Sequence, residues 1–351
     1  MDISTFEKDA LRSLLFSAPV IGEDMGRFLK EKSGQIKELA KQAIEQKVEH
    51  IYWVGAGNSR INLLPGKELL DRFTNIPSDC YTSYEFIWRN PGRLGAKAWV
   101  ILASFSGATE DTVEALRFAN AHGAKSIVFV NKADSLMGKE ANVVLDFNSK
   151  ALYILPMAGV FLFSLEIARL QGDDNAENLI NELNKLPLYL KNQFLEGKSK
   201  AKVLAELYKD QEFFYTLGCN TLYGLAYKFG LTVFMENLRV NGAFIETTEF
   251  RHGPAEMLGR HKPAFVMLMA DDESREIGER VQKLLESQKV PLIVFDAGEH
   301  PFNSLFASFV LMIPLQLFAV YSTYHRGIYN LDDRVLMGHG IMGKGSGVTW
   351  P

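Results

Sequence analysis

The chain has 351 residues, of which 47% are hydrophobic and 23% are charged, with a formal net charge of −4. This length predicts two domains or one large one, and the composition is not that of a disordered chain. The acidic balance argues against a nucleic-acid partner, because nucleic-acid-binding proteins carry a basic patch. The two cysteines, Cys80 and Cys219, have neither metal-site nor disulfide spacing, and the polar N-terminus lacks a signal-peptide core. We therefore expect a cytoplasmic protein.

Two apolar runs, residues 151–168 and 304–321, approach the roughly 20 residues that a membrane span needs. The first contains Glu166, and the second contains Pro314 and Gln316. We therefore predict buried helices at a domain or subunit interface, and no membrane partner.

The first half of the chain predicts an α/β fold. Residues 1–45 are predicted to form N-terminal helices, because apolar residues recur at helical spacing among lysines and glutamates. From residue 46 to residue 170, short apolar runs alternate with helical segments, which predicts a parallel sheet covered on both faces. The predicted strands are His50–Val54, Cys80–Thr82, Ala98–Ala103, Ser126–Val130 and Val143–Phe147.

The alternation restarts after a polar segment, residues 171–205, which we predict to be a linker helix. The predicted strands of residues 206–335 are Phe213–Leu217, Ala264–Met269 and Pro291–Phe295. Offsets of 163, 164 and 166 residues relate Tyr52 to Tyr215, Glu85-Phe86 to Glu249-Phe250, and Ala98-Trp99 to Ala264-Phe265. We infer an internal repeat of two α/β domains. The glycine-rich tail, residues 336–351, is either a flap over a site or a frayed terminus.

A polar turn, residues 104–109, follows the third predicted strand and opens a helix. Hydroxyls of Ser104, Ser106 and Thr109, with backbone amides at the positive helix end, suit a phosphate dianion. Asn58 and Ser59 follow the first strand, and such turns can meet at the switch point of a doubly wound sheet. Ordinary helix capping is the alternative. No nucleotide-binding glycine motif is present, so we expect no nucleotide cofactor.

The corresponding turn of the second half is Asp271-Asp272-Glu273. Carboxylates repel phosphate, so we expect only the first half to hold an anion at this turn.

Two residues of the second half are acid/base candidates. Glu236 lies in the apolar segment 231–240, where burial would raise its pKa and favour proton transfer near neutral pH. His252 lies in the polar cluster 246–254, which ends in a Gly-Pro turn. The alternatives are a solvated acid on an amphipathic helix and a surface histidine. No metal-ligand spacing and no nucleophilic triad is readable, so we expect no metal.

Together these motifs resemble the SIS (sugar isomerase) domain family in a tandem two-copy form. The sequence Glu249-Phe250-Arg251-His252-Gly253-Pro254, with Glu236 sixteen residues before His252, is specific to that family. The resemblance is closest to fructoselysine-6-phosphate and glucoselysine-6-phosphate deglycases. The segment Asp332-Asp333-Arg334 of this chain also resembles the C-terminal ending of those deglycases. It extends to the isomerase half of glucosamine-6-phosphate synthase.

The resemblance implies two tandem flavodoxin-like, three-layer α/β/α domains with parallel sheets. It implies phosphate binding at Ser104, Ser106, Thr109 and Ser59, with Asn58 where relatives often have Ser or Thr. It implies a catalytic base at Glu236 and a catalytic His252, which in relatives comes from the neighbouring subunit of a dimer. Glu249 and Arg251 are left with substrate-positioning roles. Phe229 and Val233 replace the acid and lysine of the synthase helix, which argues against glucosamine-6-phosphate synthesis.

The expected function is therefore a homodimeric or larger deglycase that releases a free amino acid and a hexose 6-phosphate through an enaminol. No cofactor is expected, because the amine itself supplies the electron sink. One rival is an aldose–ketose isomerase or a glucosamine-6-phosphate deaminase of the same fold, and another is a non-catalytic sugar-phosphate sensor. The motifs identify neither the amino acid nor the sugar carbon that carries the amine.

Overall fold

A computed structural model describes residues 1–334 and 336 of the chain. The glycine-rich tail predicted for residues 336–351 lies outside the described residues, apart from Leu336. The chain forms two compact units, each built on one parallel sheet. One unit contains Val20–Lys191 and Pro301–Phe309, and the other contains Met1–Pro19, Asn192–His300 and the described residues from Val310 on. The predicted α/β class with two parallel sheets is confirmed, and the predicted domain boundaries stay predictions.

The first sheet has five parallel strands in the order β2-β1-β3-β4-β5. The strands are β1 His50–Gly55, β2 Ser78–Thr82, β3 Ala98–Ser104, β4 Lys125–Val130 and β5 Val143–Asp146. Each lies within two residues of its predicted position. The helices from α2 to α7 are Ala18–Glu45, Asn58–Phe73, Ser83–Arg89, Glu110–Ala121, Leu136–Glu140 and Ile154–Leu170.

Strands β1 and β3 are buried along their whole length, because successive side chains enter cores on opposite faces of the sheet. On one face, Val54 and Leu102 pack in a core with Phe86 of α4. On the other face, Trp53 and Trp99 pack against Phe163 of α7. Burial on both faces explains why these strands are continuous apolar runs in the sequence.

The segment predicted as one linker helix folds as three helices instead, α8 Ala176–Leu183, α9 Leu186–Glu196 and α10 Lys198–Leu207. Pro187 lies at the start of α9, where its missing N–H has no helical partner to lose. Gly197 separates α9 from α10. Proline and glycine thus divide a segment whose composition is helical throughout.

The second sheet has four parallel strands in the order β7-β6-β8-β9, which matches the order of the first four strands of the other sheet. The strands are β6 Phe213–Gly218, β7 Asn241–Glu246, β8 Ala264–Met269 and β9 Leu292–Asp296. Strand β7 was not predicted from the sequence. This unit also contains α1 Ile3–Ala10, α11 Tyr223–Tyr227, a π-helix Lys228–Leu238 and α12 Arg275–Ser287. It contains α13, which spans Ala307–His325, from Val310 on.

One helical stretch in the described part of the chain, Ser304–His325, is long and apolar enough to cross a membrane by length and composition. Within its most apolar 18-residue window, 89% of the residues are buried inside the protein. This is the burial of a core helix, as predicted for this run.

Candidate active site

The switch point of the first sheet lies between β1 and β3, where the strand order reverses. Gly55 at the end of β1 is paired with Ala103 near the end of β3. Asn58 and Ser59, the first two residues of α3, and the turn 104–109 therefore follow neighbouring strands at the same edge of the sheet. Parallel α/β proteins bind ligands at this edge.

Three hydroxyls of the turn 104–109 form a connected group. Ser104 Oγ lies 2.8 Å from Thr109 Oγ1, and Ser106 Oγ lies 3.5 Å from the same atom. Ser104 is buried, whereas Ser106 and Thr109 are exposed. Thr109 is the N-cap residue of α5, but its side chain caps no helix amide. The hydroxyls thus gather at the N-terminus of a helix, which is a favourable place for an anion.

Gly107 fixes the shape of this turn. Its φ is +60°, and a Cβ at this position would overlap the side chain of Ser135. Its carbonyl accepts a hydrogen bond of 2.8 Å from the Met137 amide. Its own amide donates to Ser104 Oγ at 3.1 Å. Only glycine combines this φ with this close packing.

The corresponding edge of the second sheet is rich in acidic residues, and their carboxylates accept hydrogen bonds from nearby side chains and backbone amides. Asp272 accepts hydrogen bonds from Asn220 at 2.9 Å and from the Ser274 amide at 2.9 Å. Arg275 makes two hydrogen bonds to Asp296, at 3.0 and 2.8 Å. Carboxylates repel a phosphate dianion, and the expectation that the anion site belongs to the first half stays a prediction.

Glu236 lies on the π-helix, which approaches β7 closely. A Cβ at Gly230 would lie 2.6 Å from the Ala243 carbonyl oxygen, and a Cβ at Gly242 would overlap the Gly230 carbonyl. The Glu236 side chain is 27% exposed, and its Oε1 atom is buried. This oxygen forms an ion pair of 2.8 Å with Arg334 Nη1. Glu236 is thus a partly buried carboxylate with a guanidinium partner.

Lys228 is a second cation that interacts with Glu236; it begins the π-helix, and sequence reasoning missed it. The residue is 7% exposed, and burial lowers the pKa of its ammonium group to about 8. The negative charge of Glu236 acts in the opposite direction on this pKa. The signal in the sequence was a lysine inside the apolar run that precedes Glu236. Glu236 therefore acts electrostatically on two cations of its own unit.

His252 lies in the turn that follows β7. Phe250 is fully buried and packs edge-on against Phe265, with ring centroids 5.7 Å apart, which anchors the turn in the core. The exposed His252 accepts a hydrogen bond of 3.1 Å at Nε2 from Arg251 Nε. Gly253, with a φ of +129°, then reverses the chain.

The two predicted acid/base residues of the second unit, Glu236 and His252, are not bonded to each other. Within the described residues, no hydrogen bond or ion pair joins Glu236 to His252. Glu249 is exposed on the same turn as His252, and the His252 amide donates to its carbonyl at 2.9 Å. No group of three or more His, Cys, Asp or Glu residues in the described ranges is arranged to hold a metal ion.

This fold is that of a parallel α/β protein, a class that binds small ligands at the carboxyl ends of its strands, and a hydroxyl-lined turn lies at its switch point. The SIS domain family model matches residues 44–168. The fructosamine deglycase FrlB of Bacillus subtilis is 32% identical over 74% of this chain and 80% of its own length. The fructoselysine 6-phosphate deglycase of Escherichia coli is 28% identical over 85% of this chain and 88% of its own length. The chain belongs to the SIS domain family, in the group that contains the fructosamine deglycases.

Solved structures agree with this membership. A phosphosugar isomerase structure from Bacillus subtilis has a TM-score of 0.77 and 28% identity, and covers 87% of this chain and 99% of its own. The C-terminal domain of a glucosamine-fructose-6-phosphate aminotransferase from Francisella tularensis has a TM-score of 0.74 over 91% of this chain and 96% of its own. At 19% identity, the second structure is informative about the fold alone.

Proposed function

We propose that the chain is a deglycase that cleaves a 6-phosphorylated sugar–amino acid adduct of the fructosamine or glucosamine type. The observation that carries the proposal is the partly buried carboxylate of Glu236, in a chain whose relatives of similar length are named for fructosamine cleavage. The products are a hexose 6-phosphate and the free amino acid.

In this reaction Glu236 transfers a proton between two sugar carbons. With the amine on carbon 1 and a ketone at carbon 2, Glu236 removes a proton from carbon 1 while the ketone oxygen gains one, which gives an enaminol. Return of the proton to carbon 2 makes a C=N bond at carbon 1. Water adds to this carbon, the C–N bond breaks, and the amine leaves with a proton. Glucose 6-phosphate is then the product, whereas an amine on carbon 2 leads to fructose 6-phosphate.

The other predicted residues bind the substrate or move hydroxyl protons. Hydroxyls of Ser104, Ser106 and Thr109, with Asn58 and Ser59, hold the phosphate. His252 opens the sugar ring or handles hydroxyl protons. Glu249 and Arg251, on the same turn as His252, position the substrate. The reaction needs no cofactor, because the carbonyl group of the open-chain adduct accepts the electron pair of the broken C–H bond.

We also propose that the protein is cytoplasmic, that its two halves are tandem copies, and that it works as a homodimer or larger oligomer with shared active sites. His252 is exposed in the single chain. This exposure suits a histidine that acts at a site completed by a second subunit.

A substrate panel tests the proposal. Purified protein is incubated with the 6-phosphates of fructosyl-lysine, glucosyl-lysine, glucosamine and fructose, and the products are identified by mass spectrometry. The proposal expects free lysine and a hexose 6-phosphate from one of the two adducts. Release of ammonia from glucosamine 6-phosphate alone would make the protein a deaminase. Interconversion of hexose phosphates alone would make it an isomerase, and binding without any product would make it a sensor.

A further inference from the structure

The segment that carries Arg334 is attached to its own unit at two points. The Asp332 carboxylate accepts hydrogen bonds from Ser13 Oγ at 2.6 Å and from the amides of Leu14 and Leu15 at 3.0 and 3.3 Å. The Asp333 carbonyl accepts a hydrogen bond from Arg239, the residue that ends the π-helix of Glu236. Two successive anchors therefore hold the backbone just before Arg334.

These anchors bring the Arg334 guanidinium to 2.8 Å from Glu236 Oε1. The Arg334 side chain is 33% exposed, so solvent or a ligand reaches part of it. A guanidinium has five N–H donors in a planar fork that matches a carboxylate. Arg334 is thus a carboxylate-binding group at the position of the proposed base.

This ion pair conflicts with the proposed role of Glu236. While the guanidinium occupies Glu236 Oε1, this oxygen is not available to take a proton from carbon. Proton removal from carbon is therefore easier once Arg334 has moved to another anion. The charge of Lys228 remains to balance Glu236 after that movement.

The proposed substrate supplies such an anion. Its phosphate is already assigned to the hydroxyls of the turn 104–109, whereas the carboxylate of its amino acid has no partner in the proposed function. In an adduct joined through the α-amino group, one carbon separates the nitrogen from this carboxylate. The carboxylate then lies near the carbons on which Glu236 acts, within the range of a side chain that contacts Glu236.

We propose that Arg334 binds the α-carboxylate of the amino acid part of the substrate, and that it exchanges Glu236 for this carboxylate when the substrate binds. Arg334 is then the residue that selects sugar–amino acid adducts over sugar–amine adducts. The inference rests on the proposed function.

Two adducts that differ by one carboxylate test the inference. These are the 6-phosphates of fructosyl-alanine, joined through the α-amino group, and of fructosyl-ethylamine. The wild-type protein should cleave the alanine adduct with a kcat/KM roughly 10- to 100-fold higher, as expected for a charged hydrogen-bonded pair. Arg334→Met should cleave both adducts with similar kcat/KM, and Arg334→Lys should keep part of the preference because it keeps the charge.

Arg280→Met is the matched control, because Arg280 is an exposed arginine on α12 that pairs with Glu276. It should keep the wild-type preference. Two results would show that Arg334 does not select the carboxylate: equal cleavage of both adducts by the wild-type protein, or an equal loss of both rates in Arg334→Met. Either result would overturn this inference without affecting the proposed deglycase activity. If neither these adducts nor the lysine adducts are cleaved, the proposed function itself fails.

Discussion

Lys228 should destabilise the folded protein at neutral pH, because its ammonium group is buried. Burial lowers its pKa from 10.5 to about 8. This fall in pKa corresponds to about 3 kcal/mol of unfavourable free energy for the protonated folded state. Lys228→Met keeps the aliphatic volume and removes the charge. The variant should therefore be more stable than the wild-type protein at pH 7 by up to about 3 kcal/mol.

The gain should depend on pH in a defined direction. Below pH 8 the lysine is protonated in both states, so the full cost is present. Between pH 8 and 10.5 the folded state loses the proton while the unfolded state keeps it, so the free energy of unfolding of the wild-type protein rises with pH. The difference between wild type and Lys228→Met should shrink over this range.

Urea unfolding followed by circular dichroism at pH 7, 8, 9 and 10 measures this difference. Lys283→Met, at an exposed position of α12, is the control and should change stability by no more than about 0.5 kcal/mol. A Lys228→Met variant with wild-type stability at pH 7, or with a gain that does not change with pH, would show that the buried ammonium group does not destabilise the folded protein.

The charge of Glu236 should also be visible in this measurement. It holds the Lys228 pKa up, so Glu236→Gln should lower that pKa further and reduce stability at pH 7. The same substitution should cost less in the Lys228→Met background, where no ammonium group needs compensation. A double-mutant cycle measures the coupling free energy, and strictly additive effects would show that the two charges do not interact.

Four further substitutions test the site. Glu236→Gln should lower kcat by about 10²- to 10⁴-fold with glucose 6-phosphate binding retained; unchanged turnover would exclude it as the base. His252→Asn should lower kcat by a similar factor with an unchanged urea midpoint, because the side chain is exposed. Ser106→Ala should weaken glucose 6-phosphate binding in calorimetry about 10-fold, whereas Ser274→Ala, at the acidic edge of the second sheet, should not; equal effects would argue against the phosphate site. Gly107→Ala should cost about 1–3 kcal/mol in urea unfolding, because of its positive φ and the contact with Ser135.

The sequence was sufficient for most strands, for a physical reason. Strands such as β1 and β3 are buried on both faces, so their sequences are continuous apolar runs. Strand β7 was not predicted, because it is an edge strand of partly exposed residues that begins with Asn241 and Gly242. The helix of Glu236 was expected, but its π form was not, because the close approach of Gly230 to Gly242 is a tertiary contact.

The same distinction applies to the candidate site. The turn 104–109 was predictable, because polar residues directly after an apolar strand lie at the ligand-binding edge of a parallel sheet. The partners of Glu236 were not predictable from the sequence. Lys228 depends on which side of a helix is buried, and Arg334 reaches Glu236 through anchors at Asp332 and Asp333. Such contacts follow from chain packing rather than from local pattern.

In the proposed reaction, a proton bound to carbon moves during cleavage. The most direct test uses fructosyl-lysine 6-phosphate or fructosyl-alanine 6-phosphate with two deuterium atoms on carbon 1, and determines by NMR and mass spectrometry where deuterium lies in the hexose phosphate. The enaminol route predicts glucose 6-phosphate with a single deuterium on carbon 1, because Glu236 has removed the other. A hexose phosphate that keeps both deuterium atoms on carbon 1 would mean that the C–N bond breaks without proton transfer from carbon, and would rule out the enaminol route.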